Sequence, residues 1–265
     1  MPNLKLTIEF DGTKYAGWQY QPHHQTVQGE LESAAGKVLQ RKVTVYGCGR
    51  TDAGVSARAY VANFHAEEHD RIVGQFGSCP KALDRLKLAL NHFLPEDILV
   101  LSIEEAKPGF HARHSALGKT YVYRIVRRKS PLRRRHAWEF WFKLDVEKMH
   151  KAACLFEGAR DFRAFCQTRD QDGICHVRRV LVAARDMTGL SGNSDRVPVP
   201  EDEVLIVVEG DRFLYKMVRR IVGALVACGS GRLTQKDIRA ALAGKPSQPF
   251  PTAPACGLML DSVDY

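Results

Sequence analysis

One carboxylate, Asp52, stands in the stretch GCGRTDAGVSARA (47–59), among glycines and alanines, with Arg50 two positions before it. Small residues let another stretch of backbone approach such an acid closely. Two readings compete. An aspartate in a turn can hydrogen-bond its own backbone. Alternatively, the tight turn sets a reactive acid at the edge of a cleft, with Arg50 as a nearby cation. The glycines do not follow the GxxxxGK[ST] or GxGxxG spacing of phosphate-cradling loops, so nucleotide binding through a glycine loop is a weak reading. Glycosidic-bond hydrolysis by Asp52 would normally want a second carboxylate as acid, and no nearby one suggests itself.

The other chemistry-bearing residues are cations and tyrosines. RRKSPLRRRH (127–136) holds Arg127, Arg128, Arg133 and Arg134 among its six basic residues. It is either a solvated loop or a loop that tracks phosphates, since neutralising phosphates supplies most non-specific affinity for nucleic acid. Arg178, Arg179, Arg212, Lys216, Arg219 and Arg220 extend the theme. Arg219 and Arg220 fall in an otherwise apolar helical segment, where a lone buried charge is costly. They should face a carboxylate or a cleft. Tyr121 and Tyr123 alternate in a strand. Strand tyrosines mostly pack, but in a basic cleft one could stack on a base, worth roughly 1–3 kcal/mol.

A scaffold large enough to position these groups is available. The chain has 265 residues, 45% hydrophobic and 26% charged, a globular composition sufficient for one large domain or two small ones. No run of 18 apolar residues occurs, so no membrane partner is expected, and the N-terminus reads as a strand rather than a signal peptide. The 7 cysteines are odd in number and lack a CxxC pair, which suggests a reducing cytoplasm rather than a disulfide framework. Cys166, Cys175 and His176 do not have a recurring zinc-ligand spacing, so no metal is expected. The net charge of +9 points to a polyanionic partner, most often nucleic acid. Anionic membrane binding would instead want a basic amphipathic helix, and no good one is seen.

Periodicity then places the elements. Residues 4–10 alternate as a half-buried strand. A helix follows with Thr26 as N-cap and Val27, Leu31, Ala34, Ala35 and Val38 at helical spacing. Strands are expected over 42–47 and 57–65, a helix over 79–94 with Leu83, Leu86, Leu90 and Phe93 on one face, and a strand over 97–103. This β-α-β-β-α-β order is the ferredoxin-like arrangement. The second half repeats it: a strand over 119–128, a helix over 145–158, strands over 175–187 and 203–210, a long helix over 213–229, and a closing strand over 257–263. A short extra helix begins at Thr234 with Asp237 as its capping-box partner. The polar, Gly- and Pro-containing stretch 188–202 reads as a surface loop. The expected fold class is α+β: two pseudo-symmetric ferredoxin-like (RRM-like) βαββαβ halves, 1–107 and 108–265, with sheets side by side around a basic cleft.

Seven segments in order carry a resemblance: FDGTKYAGWQYQ with TVQGELE, GRTDAGVSA, LPEDI, FHARHSALGKTYVYRI, FLYKMVRRIVGALVACGSG and APACGLML. Over nearly its whole length the chain resembles the tRNA pseudouridine synthase A family. The resemblance implies a cytoplasmic homodimer that isomerises uridine to pseudouridine in tRNA without metal or organic cofactor. The usual target is the 3′ side of the anticodon stem-loop, positions 38 to 40. It places the catalytic aspartate on Asp52, which would attack C1′, add to C6, or remove a sugar proton. It places the partner arginine on Arg219 and the tyrosine that stacks on uracil on Tyr121. A cation within about 4–6 Å of an acid favours the anion. Arg50 would hold the flipped nucleotide, and Phe110, His111 and Arg113 resemble an RNA-contacting segment. On this reading the glycines and alanines around Asp52 are clearance for the extruded base. The chain departs from the family at Val55-Ser56-Ala57, Ala59-Tyr60 and His114, which bears on the fine RNA contacts. A non-catalytic RRM-like RNA-binding protein is the alternative, but it would want an RNP1-type aromatic strand that is missing here.

Overall fold

The computed structural model describes residues 2–67, 80–167, 172–184, 200–246 and 248–265. Most of the surface loop expected over 188–202 lies outside the described residues, as does Cys79. The chain forms two compact units: Met1–Leu117 with Leu260–Tyr265, and Gly118–Met259. The sequence expectation drew the line after residue 107 and gave everything beyond it to the second half. The boundary between the compact units falls after Leu117, and Leu260–Tyr265 is part of the first.

In the first unit, β1 (Asn3–Phe10) buries Leu4, Leu6, Ile8 and Phe10 in strict alternation. Thr26 caps α1 (Val27–Leu39) by accepting from the Gly29 amide. The buried face is Val27, Leu31, Ala34, Ala35 and Leu39, and Val38 is only half-buried. The strand expected over 42–47 shrinks to β2 (Tyr46–Gly47). Val43 and Val45 are buried, but α1 side chains satisfy the backbone of Val45. The Val45 amide donates to Glu32 Oε1 (3.0 Å), and Gln28 Nε2 donates to the Val45 carbonyl (3.1 Å). Backbone groups met this way need no strand partner.

β3 (Ser56–His65), α2 (Pro80–Phe93) and β4 (Ile98–Glu105) follow in the same unit. The sheet order is β4-β1-β3, with β2 paired to β3 and all pairs antiparallel. Leu6 stands between Ala62 on one side and Ile103 on the other. On α2 the buried line is Ala82, Leu86 and Leu90, continued by Leu94. Phe93, expected on that face, is 44% exposed and lies under the Lys37 ammonium.

In the second unit, β5 (Gly118–Val126) carries Tyr121 and Tyr123 and pairs antiparallel with β9 (Glu203–Gly210). β6 (Trp138–Glu139) adds to β5 in parallel. Asp145 caps α3 (Val146–Ala153) through the Lys148 amide. β7 (Gly158–Asp161), β8 (Ile174–Ala184) and β9 (Glu203–Gly210) follow, with β7 on β8 and β8 on β9, both antiparallel.

The long helix expected over 213–229 begins later, as α4 (Met217–Gly229), because Lys216 takes a left-handed conformation at φ 61. Arg219 and Arg220 therefore lie in the first turn of α4, not in its middle. The helix is otherwise buried from Met217 to Gly229, and at Gly223 it meets a neighbouring segment so closely that a Cβ would stand 1.9 Å from the Pro251 carbonyl oxygen. The capping box of Thr234 and Asp237 opens α5 (Gln235–Leu242) as expected. β10 (Leu258–Asp264) closes the chain's elements, and from Leu260 onward it belongs to the first unit, beside β3. No helix among the described residues is long and apolar enough to cross a membrane.

Candidate active site

Asp52 begins a four-residue turn closed by the Val55 amide on the Asp52 carbonyl (3.2 Å), with Gly54 at φ 80. A left-handed residue at that place is what a type II turn needs. The turn rests on the 12–18 loop. The Gly54 amide donates to the Tyr15 carbonyl and the Trp18 amide to the Thr51 carbonyl, both at 3.3 Å. Close approach is possible because Gly12 and Gly17 have no side chain. A Cβ on Gly12 would lie 2.0 Å from the Val55 carbonyl oxygen. Tyr15 is anchored below by its hydroxyl donating to Asp97. Sequence reasoning expected a close backbone neighbour for this acid but did not single out Gly12 or Gly17. Their Asp-Gly and Ala-Gly contexts were the available signal.

Two glycines of the 47–59 stretch, Gly47 and Gly54, have structural uses of their own. A Cβ on Gly47 would strike the Tyr60 hydroxyl at 2.2 Å and the Trp18 ring at 2.5 Å. Those two rings stack at 4.0 Å between centroids, and the Tyr60 hydroxyl donates to the Gly49 carbonyl. Gly47 thus makes room for a structural ring pair, and Gly54 serves the turn. Asp52 itself is half-buried, and Arg50 is exposed.

The first unit also holds the turn carrying Phe110, His111 and Arg113. Buried Asn63 fixes it: its Oδ1 accepts from the Ala112 amide (2.8 Å), while its Nδ2 donates to Asn3, whose own amide reaches the Phe110 carbonyl (2.7 Å). The Tyr265 hydroxyl donates to the Ala112 carbonyl at 2.7 Å. His111 Nδ1 accepts from the Arg113 amide (3.1 Å), so the ring proton sits on Nε2. Burial, then the nearby His114, pushes the His111 pKa down.

The second unit carries the remaining candidates. The two tyrosines of β5 differ. Tyr123 is fully buried, its hydroxyl donating to the Pro254 carbonyl, and is the packing member of the pair. Tyr121 is half-buried, with its ring edge-on to Phe213 at 5.2 Å. Arg219 donates from Nε to the Ala253 carbonyl (2.7 Å), and the Ala253 amide returns a bond to the Arg219 carbonyl (3.0 Å). That pair of bonds fixes the root of the guanidinium. Arg220 spends a terminal nitrogen on the Cys166 carbonyl (2.6 Å). Backbone carbonyls thus take up part of the charge that the sequence argument sent to a carboxylate or cleft.

The basic run proves mixed. Arg133 holds Asp202 (2.5 Å) and the buried Glu203 (2.7 Å), and Arg128 reaches the same Asp202 oxygen, Oδ2 (2.5 Å). Arg133 and then Arg128 hold the Asp202 carboxyl down to about 2. Arg127 donates to the Glu201 carbonyl at 2.7 Å. These three residues tie the 127–136 segment to the start of β9. Arg134 stays exposed. The Arg178 guanidinium lies over Gly118, where a Cβ would come within 2.7 Å of it, and Arg179 is half-buried.

A family described as tRNA pseudouridine synthase matches residues 152–265. Similarity to individual proteins spans the whole chain. It is 37% identical over 268 residues to tRNA pseudouridine synthase A 2 of Clostridium perfringens, covering all of both chains. It is 38% identical over 270 residues to tRNA pseudouridine synthase A of Moorella thermoacetica, again covering both completely. The Myxococcus xanthus tRNA pseudouridine synthase A is also 38% identical, with 92% of its length covered. These similarities first define a class, the enzymes that isomerise uridine in RNA. Within it, the chain belongs to the tRNA pseudouridine synthase A family.

Proposed function

We propose that this chain converts uridines on the 3′ side of the tRNA anticodon stem-loop to pseudouridine, with Asp52 as its catalytic carboxylate. That it is an isomerase acting on tRNA follows from its family. The reading is supported by full-length similarity to tRNA pseudouridine synthase A proteins, together with the order of the seven resembling segments along this chain, Asp52 included.

The reaction breaks the C1′–N1 bond, turns the uracil and forms a C1′–C5 bond, with C5 losing its proton and N1 taking one up. Asp52 as an anion can attack C1′, add to C6, or take a sugar proton while the base leaves. Arg219 would favour that anion, Tyr121 would stack on the uracil, and Arg50 would hold the extruded nucleotide. Extrusion costs a few kcal/mol, which stacking and phosphate contacts offset. Phe110, His111 and Arg113 would contact the RNA. Exposed Arg134 and Arg178 and half-buried Arg179 would contact phosphates, whereas Arg127, Arg128 and Arg133 serve internal bonds. The proposal includes two ferredoxin-like halves. The β4-β1-β3-β2 order of the first unit and the β5-β9-β8 order of the second support it. A homodimer in the cytoplasm completes it.

The test is incubation of an unmodified tRNA transcript with the protein and with Asp52→Asn, followed by nucleotide-resolution mapping of pseudouridine. Pseudouridine confined to the anticodon arm, absent with Asp52→Asn although tRNA still binds, is expected. Substantial turnover by Asp52→Asn would remove the acid from its role. Binding without any modification by the unaltered protein would favour the RRM-like alternative.

A further inference from the structure

We infer that Tyr46, His111 and His114 form one ring shelf on the first unit that takes an unpaired nucleobase of the RNA, an inference that rests on the tRNA reading above and gives Tyr46 and His114 a role. The three rings are contiguous. His111 lies 5.2 Å from Tyr46 and 4.4 Å from His114, centroid to centroid. Yet the cluster is not core: Tyr46 is 41% exposed, His114 is exposed and His111 is half-buried. Tyr46 immediately precedes the glycine stretch that leads to Asp52.

The shelf is held in place from beneath. Tyr46 sits opposite Asn63 across the β2–β3 pair, and the same Asn63 accepts from the Ala112 amide. One buried residue therefore sets Tyr46 against the turn that carries both histidines. Within that turn, the Ser115 amide donates to the His111 carbonyl (2.9 Å), and the Ser115 hydroxyl accepts from the His111 amide (3.0 Å). The Arg113 amide fixes the His111 ring with Nε2 as its donor. A neutral, oriented imidazole can stack on a base while Nε2–H bonds to a base edge or a 2′-hydroxyl.

The electrostatic surroundings select the ligand. The charged and titratable neighbours that act on His111 are His114, Arg113 and His65. Exposed Arg113 stands ready for a phosphate beside the rings. Exposed aromatic faces among basic groups suit single-stranded nucleic acid, where base–ring stacking is tolerant of sequence. The unpaired nucleotides of a tRNA loop have this chemistry.

The experiment compares Tyr46→Ala, Tyr46→Phe, His114→Ala and His114→Phe with the unaltered chain for tRNA affinity and for pseudouridine formation. Each alanine variant should raise Kd and KM about fivefold or more, with kcat within about twofold, and each phenylalanine variant should restore most of the loss. Alanine variants that bind as the unaltered chain does would overturn the shelf. So would phenylalanine variants that lose as much as the alanine ones. If Tyr46→Ala fails to fold, exposed His114 still carries the test. Absence of pseudouridine with the unaltered chain strikes the tRNA reading, whereas normal modification with undisturbed alanine variants strikes the shelf alone.

Discussion

Gly17 lies against the backbone of Thr51: a Cβ on Gly17 would stand 2.4 Å from the Thr51 carbonyl oxygen and 3.2 Å from the Asp52 carbonyl carbon. Gly17 also holds φ at 98, where L side chains are strained. Gly17→Ala should therefore cost roughly 1–3 kcal/mol of stability. It should also depress pseudouridine formation at temperatures where the variant stays folded, because the displaced segment is the one bearing Asp52. Denaturant unfolding and turnover measured side by side check both effects.

Arg133 is committed to Asp202 and to buried Glu203. Arg133→Ala should destabilise by roughly 1–3 kcal/mol by leaving Glu203 unsatisfied. The slope of log affinity for tRNA against log salt should hardly change. The pH dependence has a definite sign. A carboxyl held down to about 2 stabilises the fold above the ordinary carboxylate range, and that contribution is lost as pH falls towards about 2. Urea midpoints measured across the acid range should show a weaker decline for Arg133→Ala.

Arg134, exposed in the same run, should behave in the opposite way. Arg134→Ala should leave the unfolding midpoint in place and flatten the salt slope by about 1, the signature of one lost phosphate contact. A midpoint shift with an unchanged slope would make it another structural arginine.

Arg219→Ala should cut turnover sharply while leaving the salt slope of tRNA binding in place. A large drop in affinity would instead put Arg219 on a phosphate. Arg219→Lys should rescue little, since Nε is the atom that bonds the Ala253 carbonyl and lysine has no counterpart to it.

Within the ring shelf, the fold acts on the ionisation of His111. Its lowered pKa means that the fold favours the neutral ring. Its contribution is present above the ordinary histidine value of about 6.5 and is lost as pH falls through the lowered one. Protonation also removes the Nδ1 acceptor used by the Arg113 amide. His111→Gln should weaken the stability difference between pH 7 and more acidic buffer, read from urea midpoints.

Local rules made much of the fold legible. The alternation of β1, the Thr26 cap and the Thr234–Asp237 box each act within a few residues, and each appears where expected. The differences arise where distant groups intervene. Val43 and Val45 have a strand's composition, but Gln28 and Glu32 occupy the Val45 backbone groups that a strand partner would use. Phe93 and Leu94 are both apolar neighbours, and only the helix phase decides that Leu94 is the buried one. The start of α4 turned on one left-handed lysine, which no propensity flags. At the candidate site, the small residues around Asp52 fitted a turn aspartate as well as a reactive acid, and only the family resemblance chose between them. The assignment of Arg133 was not legible either, because its partners lie about seventy positions away in sequence.

The place of Leu260–Tyr265 in the first unit bears on how the chain is made. Asp261 holds Arg58 at 3.0 Å, the Asp264 carbonyl accepts from the Leu117 amide at 2.8 Å, and the Tyr265 hydroxyl secures the Ala112 carbonyl. Synthesis proceeds from the N-terminus, so the ribosome must produce the whole second unit before the first receives these residues. The unit that bears Asp52 is begun before the second unit and completed only after it.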